Sequence, residues 1–374
     1  MRRFVVLVLA AFAMLAGSCS DDSVCPVTYE PSPIRQYSLG ILREVWKIAS
    51  PPVNSDTDLP RPSRGFHDPA LNWYNPYVQF RITDIYDRPV VHQSDDRTHV
   101  LILDHDPSKS ILLDSVASNR DVWTGIMRAL PNGASDQSLK EYIDVRMAVR
   151  PGPGGVSELG TLHIDLGRIN EDVDGNDRLD TEDLKRNGIR NGILDDGEDV
   201  GLDGIPDEDE FRIVGTDTLR YDLITNPDPA GDNWHFVHQT PEDVTGINGT
   251  EGNSAEFLGG RPDTENLHGG YAWDLDIQNS YYSFAIDLAN PGAALVEGSE
   301  KTDNHHNLTW KSYSIPLWGA FADAIIGAPS SYGGIQYVRL WMDNAESRMQ
   351  VYIAAMDLVT DLRDDDTLSI SPIF

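Results

Sequence analysis

The sequence predicts an all-β fold of two jelly-roll-like β-sandwich domains joined by an acidic connector, and three observations carry that expectation. Apolar and polar residues alternate strictly in several short segments, which is the period of a half-buried strand. Clusters of Gly, Pro, Asn and Asp such as "PGPGG" and "NPGA" separate those segments, and helix-period stretches are scarce. A weak internal duplication then repeats one set of strands as another.

Taken in order, the chain begins with Arg2 and Arg3 ahead of "FVVLVLAAFAMLA". That run has the length of a signal-peptide apolar region and is too short to span a bilayer, so residues 1–18 are expected to direct export. It ends in "AGSC", which resembles a bacterial lipobox. The resemblance implies that Cys19 is lipidated and becomes the new N-terminus, anchoring the protein to the outer membrane. Ala16 stands where the lipobox usually has Leu, so ordinary signal-peptidase cleavage is the alternative. Ser20, Asp21 and Asp22 resemble the acidic leader of surface-exposed lipoproteins in Bacteroidetes-like bacteria. Residues 19–35 then form a tether in which Cys25 has no second cysteine to pair with once Cys19 is acylated.

The strands follow. In "YIDVRMAV", Ile143, Val145, Met147 and Val149 share one face. The same alternation runs through Leu162, Ile164 and Leu166, through Tyr282, Phe284, Ile286 and Leu288, through Val338, Leu340 and Met342, and through Val351, Ile353 and Ala355. The series "WTGIMRALP…EYIDVRM…GTLHIDLGRI" is echoed in order by "WKSYSIPLW…QYVRLWM…MQVYIAAMDL". Two related sandwiches are expected from it, over residues 36–169 and 212–360, with 170–211 between them and a tail at 361–374 that has no assignable role.

The connector is the most charged part of the chain. Read against the twelve-residue calcium loop, "DVDGNDRLDTED" places Asp172, Asp174, Asn176, Asp180 and Asp183 at positions 1, 3, 5, 9 and 12, with Leu179 at the apolar position 8. Only position 6 departs, where Asp177 replaces Gly. "NGIRNGILDDGE" fits in part, with Asn187, Asn191, Asp195 and Glu198, but Ile189 brings no oxygen at position 3. "DVGLDGIPDEDE" gives Asp199, Asp203, Asp207 and Glu210, with Gly201 empty at position 3. Because the second and third loops abut, no helices can separate them. The series resembles half a dockerin followed by thrombospondin type 3 repeats, and implies calcium held as a rigidifier that fixes the angle between two sandwiches. A solvated acidic linker is the alternative.

Composition limits the function. With 60 Asp+Glu against 29 Lys+Arg and a net charge of -31, a nucleic-acid partner is disfavoured. The 8 Trp, 14 Tyr and 10 Phe supply enough apolar area for a folded core, so the acidity is not that of a disordered chain. No G-x-S-x-G, H-E-x-x-H, phosphate-binding loop or Cys/His nucleophile pattern is present, so no enzyme is expected. A carboxylate pair for glycoside hydrolysis cannot be selected from so many acids. His235 with His238, and His305 with His306, are more simply incidental than metal ligands. Trp73 in "LNWYNPY" and Trp273 in "GGYAW" are candidate sugar-stacking platforms, which gives a carbohydrate-binding surface lipoprotein as the rival function.

The order of motifs carries a further resemblance. "WTGIMRAL", "EYIDVRM", "LHIDLGRINED", "DVGLDG", "NGTEGN", "PDTEN", "YYSFAIDL" and "QYVRLWM", in that order, resemble the soluble modules of SprA, the outer-membrane translocon of type IX secretion and gliding motility. The resemblance implies β-sandwich modules at a secretion β-barrel, with a role in protein export and no enzymatic activity. This chain lacks the succession of barrel hairpins of that family, so an accessory role beside a barrel is expected.

Overall fold

The computed structural model describes residues 36–54, 57–60, 68–87, 96–114, 116–131, 136–184, 189–214, 217–235, 244, 246–254, 258–268, 275–317, 321–329 and 331–360. In chain order the strands of its two large sheets are β1 (Gln36–Ser38), β2 (Lys47–Ile48), β3 (Leu71–Tyr74), β4 (Leu101–His105), β5 (Thr124–Ala129), β6 (Tyr142–Pro151) and β7 (Thr161–Arg168). They continue with β8 (Ser280–Asp287), β9 (Lys301–Asp303), β10 (Leu308–Pro316), β11 (Ala324–Ile326), β12 (Tyr337–Asp343) and β13 (Met349–Val359). The seven-stranded sheet runs β9-β10-β6-β13-β4-β3, with β1 pairing the far end of β13, and the six-stranded sheet runs β11-β8-β7-β12-β5-β2. Among the described residues, no helix is long and apolar enough to cross a membrane.

Alternation in the sequence decides which face is buried. Ile143, Val145 and Met147 of one sheet meet Leu162, Ile164, Leu166, Phe284, Ile286, Val338, Leu340 and Met342 of the other in one apolar cluster between the layers. Each such side chain contributes about 1.5–3 kcal/mol when fully buried. The last strand departs from simple alternation. Its register against β6 shifts between Arg146, opposite Ala355, and Met147, opposite Ile353, so Ala354 is an extra residue. Beyond this bulge the inward set changes parity, and Met356 and Leu358, not Ala355, reach the core.

The sheet pairing corrects the two-sandwich expectation. Strands from 36–169 and 212–360 are not separate bodies: β6 lies between β10 and β13, and β12 lies between β7 and β5. The duplicated series are β5, β6, β7 and β10, β12, β13. The first alternates between six-stranded, seven-stranded and six-stranded sheet, and the second does the reverse. Exchanging the two series leaves the pairings unchanged, since β5–β12 maps to β10–β6 and β7–β12 maps to β13–β6. The echo therefore marks two halves of one sandwich, related by a pseudo-two-fold arrangement. A half alone would expose its inward apolar faces, which is why the copies interdigitate.

The acidic segment is likewise no linker between domains. Strands β7 and β8 pair antiparallel, from Thr161 opposite Asp287 to Arg168 opposite Ser280. Residues 169–279 are thus one long excursion from a hairpin, leaving and re-entering the same sheet at neighbouring strands.

One buried ion pair tests the packing. Arg339 and Asp165 are both fully buried, with Nη2 of Arg339 2.7 Å from Oδ2 of Asp165. Arg339 also donates to the carbonyls of Ser50 and Pro51, and Trp341 Nε1 donates to Asp165. Asp165→Ala strands the guanidinium in the sheet interior, and chemical denaturation should show a loss of about 3–5 kcal/mol. A loss under 1 kcal/mol would show that the pair is not a determinant of the fold.

Candidate metal centre

Among its described residues the excursion has little regular structure, and backbone bonds tie its acidic first part to residues 263–265 and join residues 250–251 to Asp232. Glu182 N donates to Asp263 O, Glu265 N to Asp180 O, and Thr250 N and Glu251 N both to Asp232 O. These bonds fold distant carboxylates onto the predicted loops.

In the first loop, Asp172 accepts from the backbone N–H groups of Gly175, Asn176 and Asp177. Asp177 has φ of 57°, a left-handed conformation that Asp tolerates, which explains how it replaces Gly at position 6. Nδ2 of Asn176 lies 2.9 Å from Asp174 Oδ2 and 3.2 Å from Asp180 Oδ2, so three of the predicted ligands converge. At position 12, Asp183 accepts from the N–H groups of Asn191 and Gly192, in the next loop. The first loop is closed by Glu265, which accepts from Val173 N and Asp180 N. Burial first, then Asp180 and Asp172, push Glu265 up to about 9, and burial with Asp174 pushes Asp180 up to about 6.

In the second loop, Asn191 Nδ2 donates to Asp195, and Glu198 accepts from Asp195 N. Asn187 lies outside the described residues, as do Cys19 and Trp273.

The third loop forms the densest centre. Asp203, Glu210 and Asp232 place carboxylate oxygens within 4.8 Å of one another, and so do Asp207, Glu210 and Glu251, so the two groups share Glu210. Asp199 stands apart, accepting from Gly252 N. The empty position 3 has a structural answer: a Cβ on Gly201 would lie 2.3 Å from Asp232 Oδ2. Asp232, from a separate stretch, fills the space that a side chain at 201 would enter, and Gly201 also needs its φ of +71°.

The electrostatics of this centre are costly without a cation. Asp232 is 1% exposed and neither of its carboxylate oxygens has a hydrogen-bond partner; Glu210 is 2% exposed and its Oε1 has none. Burial first, then the neighbouring carboxylates, push Asp232 up to about 9, Glu210 to about 8 and Glu251 to about 7. Buried acceptors of this kind are neutralised by a proton or a cation. The donor set is all oxygen, from carboxylates on two chain segments, and suits a hard divalent ion.

Sequence spacing alone missed Asp232, Glu251 and Glu265. A signal was present, since Glu251 lies in "NGTEGN" and Glu265 in "PDTEN". The sugar-stacking expectation at Trp73 is corrected: its side chain is buried in the inter-sheet core, with no face for a ligand. Its backbone N–H and carbonyl instead pair with the amide of Asn248, tying β3 to the excursion. Compared with protein-family models the chain matches none, and a search of curated proteins gives no match.

Proposed function

We propose that this chain is a non-catalytic, calcium-braced β-sandwich protein of the bacterial cell envelope. It is anchored at the outer membrane through a lipid on Cys19 and acts by binding, as an accessory of a secretion β-barrel of the SprA type. The observation that carries the calcium part is Asp232, buried with both oxygens unpartnered beside Glu210. Calcium fits the oxygen-only donors better than zinc or copper. Its role is to fold the 169–279 excursion against the sandwich, since an unneutralised carboxylate cluster would push those segments apart. The SprA-like motifs fall on both parts: "WTGIMRAL", "EYIDVRM", "YYSFAIDL" and "QYVRLWM" are on β5, β6, β8 and β12, while "DVGLDG", "NGTEGN" and "PDTEN" supply Asp203, Glu251 and Glu265.

The test is a cross-linked affinity capture of the tagged protein from membranes, with calcium and with chelator, read by mass spectrometry. Recovery of a large β-barrel in calcium and its loss in chelator is the expected result. Capture without any envelope protein under both conditions, or a Cys19→Ser protein that still partitions with membranes, contradicts the assignment.

A further inference from the structure

A second cluster of metal-ligating side chains lies apart from the carboxylate centre, where the β9-β10 turn meets the short helix Ile82–Ile85. Ligand atoms of Asp84, Asp303 and His306 lie within 4.8 Å of one another. A fourth donor is adjacent, since His305 Nδ1 is 3.3 Å from Asp84 Oδ1. The converging set is therefore one imidazole and two carboxylates, drawn from two chain segments, and the second imidazole, His305, touches it through Asp84. We propose that Asp84, Asp303 and His306, with His305 beside Asp84, form a binding site for a zinc-class divalent transition metal, chemically distinct from the oxygen-only centre.

Three features support this. Three converging donors, one of them an imidazole, match a zinc site whose fourth position stays open to water, and imidazole nitrogen selects zinc, cobalt, nickel or copper over calcium. The donors are also oriented in advance. The Asp303 side chain is fully buried, its Oδ1 fixed by the N–H groups of His305 at 2.8 Å and His306 at 3.1 Å, which leaves Oδ2 facing His306 Nδ1 at 2.7 Å. The Phe80 ring lies 4.1 Å from the His306 ring and limits its rotation. Outer-shell contacts of this kind orient ligands in metal sites.

The two segments are clamped together as well. Buried Arg146 donates Nη2 to Ile85 O at 2.5 Å and Nη1 to Ser299 O at 2.7 Å, joining the helix that carries Asp84 to the approach of β9. Lys301 Nζ reaches Asp87 Oδ1 at 3.2 Å between the same elements. A turn cap accounts for Asp303 accepting two backbone N–H groups. It does not account for Asp84 reaching the same point from another chain segment. Zinc–donor bonds of about 2.0–2.2 Å set tetrahedral donors about 3.3–3.6 Å apart, so His306 Nδ1 and Asp303 Oδ2, 2.7 Å apart, open by somewhat under about 1 Å as the ion takes the place of their direct hydrogen bond.

The experiment is a zinc titration of the full protein in saturating calcium, which occupies the carboxylate centre, read by calorimetry and by the visible spectrum of bound cobalt. One tight zinc ion per chain is expected, with cobalt bands of a four-coordinate nitrogen and oxygen site. Replacing His305 and His306 together with Ala should weaken zinc binding at least tenfold, as should the shape-preserving Asp84→Asn, while calcium binding is unchanged. No zinc uptake in calcium, or uptake equal in parent and both variants, overturns the proposal. A histidine variant that also loses calcium binding is misfolded, and Asp84→Asn then decides. Because zinc is read against these variants, the result stands or falls separately from the calcium assignment.

Discussion

In chelator the protein is expected to melt well below its melting point in millimolar calcium. A ligand at a hundredfold excess over its Kd stabilises the folded state by about 2.7 kcal/mol per site. The first loop with Glu265 and the third loop with Asp232 then contribute about 5 kcal/mol together. At roughly 2 °C per kcal/mol for a large domain, the shift is on the order of 10 °C. Asp232→Asn gives the sharper outcome, because it keeps the shape and removes the charge. The variant loses the part of the calcium response that belongs to the third loop. In chelator near neutral pH it melts higher than the parent, since a neutral amide avoids the cost of holding a proton on a group whose burial, with Glu210, Asp203, Glu251 and Asp228 nearby, opposes ionisation. If Asp232 served only in packing, the variant would melt lower under both conditions. Paired thermal melts separate the two cases.

Without calcium, stability falls as pH rises from about 5 to about 8, the reverse of ordinary acid denaturation. Burial and neighbouring carboxylates hold Glu251 up to about 7, Glu210 to about 8, and Asp232 and Glu265 to about 9 in the folded chain. The unfolded chain releases those protons near the ordinary carboxylate range, about 4. Between the two values the folded state binds more protons, so each such group removes about 1.4 kcal/mol of stability per pH unit. Below about pH 4 both states are protonated and the penalty is absent; above the folded-state values the loss is complete. Bound calcium reverses the sign, because ligand carboxylates must be ionised and acid displaces the ion. Melting curves at pH 5 and pH 8, with calcium and with chelator, should cross. A chelated protein that melts higher at pH 8 than at pH 5 is incompatible with this centre.

Local pattern was legible in the sequence, and long-range assembly was not. The alternation at Ile143, Val145 and Met147 marked a strand and its inward face, because side-chain direction in a strand depends only on parity. The same rule failed at Ala355, where the bulge at Ala354 resets parity through the partner strand. The duplication was visible, but its consequence was not. Two echoed series fit two sandwiches or two halves of one, and only the pairing of β6 between β10 and β13 decides. The calcium-loop spacing singled out Asp174, Asn176 and Asp180, which the fold brings together, and Asp203, Asp207 and Glu210, which lie in its carboxylate groups. It left position 3 of the third loop empty, because Asp232 arrives from another segment and no spacing rule counts across a fold. Trp73 shows the same limit: aromatic character does not tell a stacking platform from a core residue.

The central claim is that buried carboxylates on two segments of the excursion share bound calcium. Equilibrium dialysis of the chelator-stripped protein against calcium tests it most directly, comparing the parent with a variant carrying Asp232→Asn and Glu210→Gln. The account predicts that the parent takes up more than one calcium ion per chain, and that the variant loses the third-loop binding while the first loop keeps its own. No uptake at millimolar calcium, or uptake unaffected by the two substitutions, would contradict it.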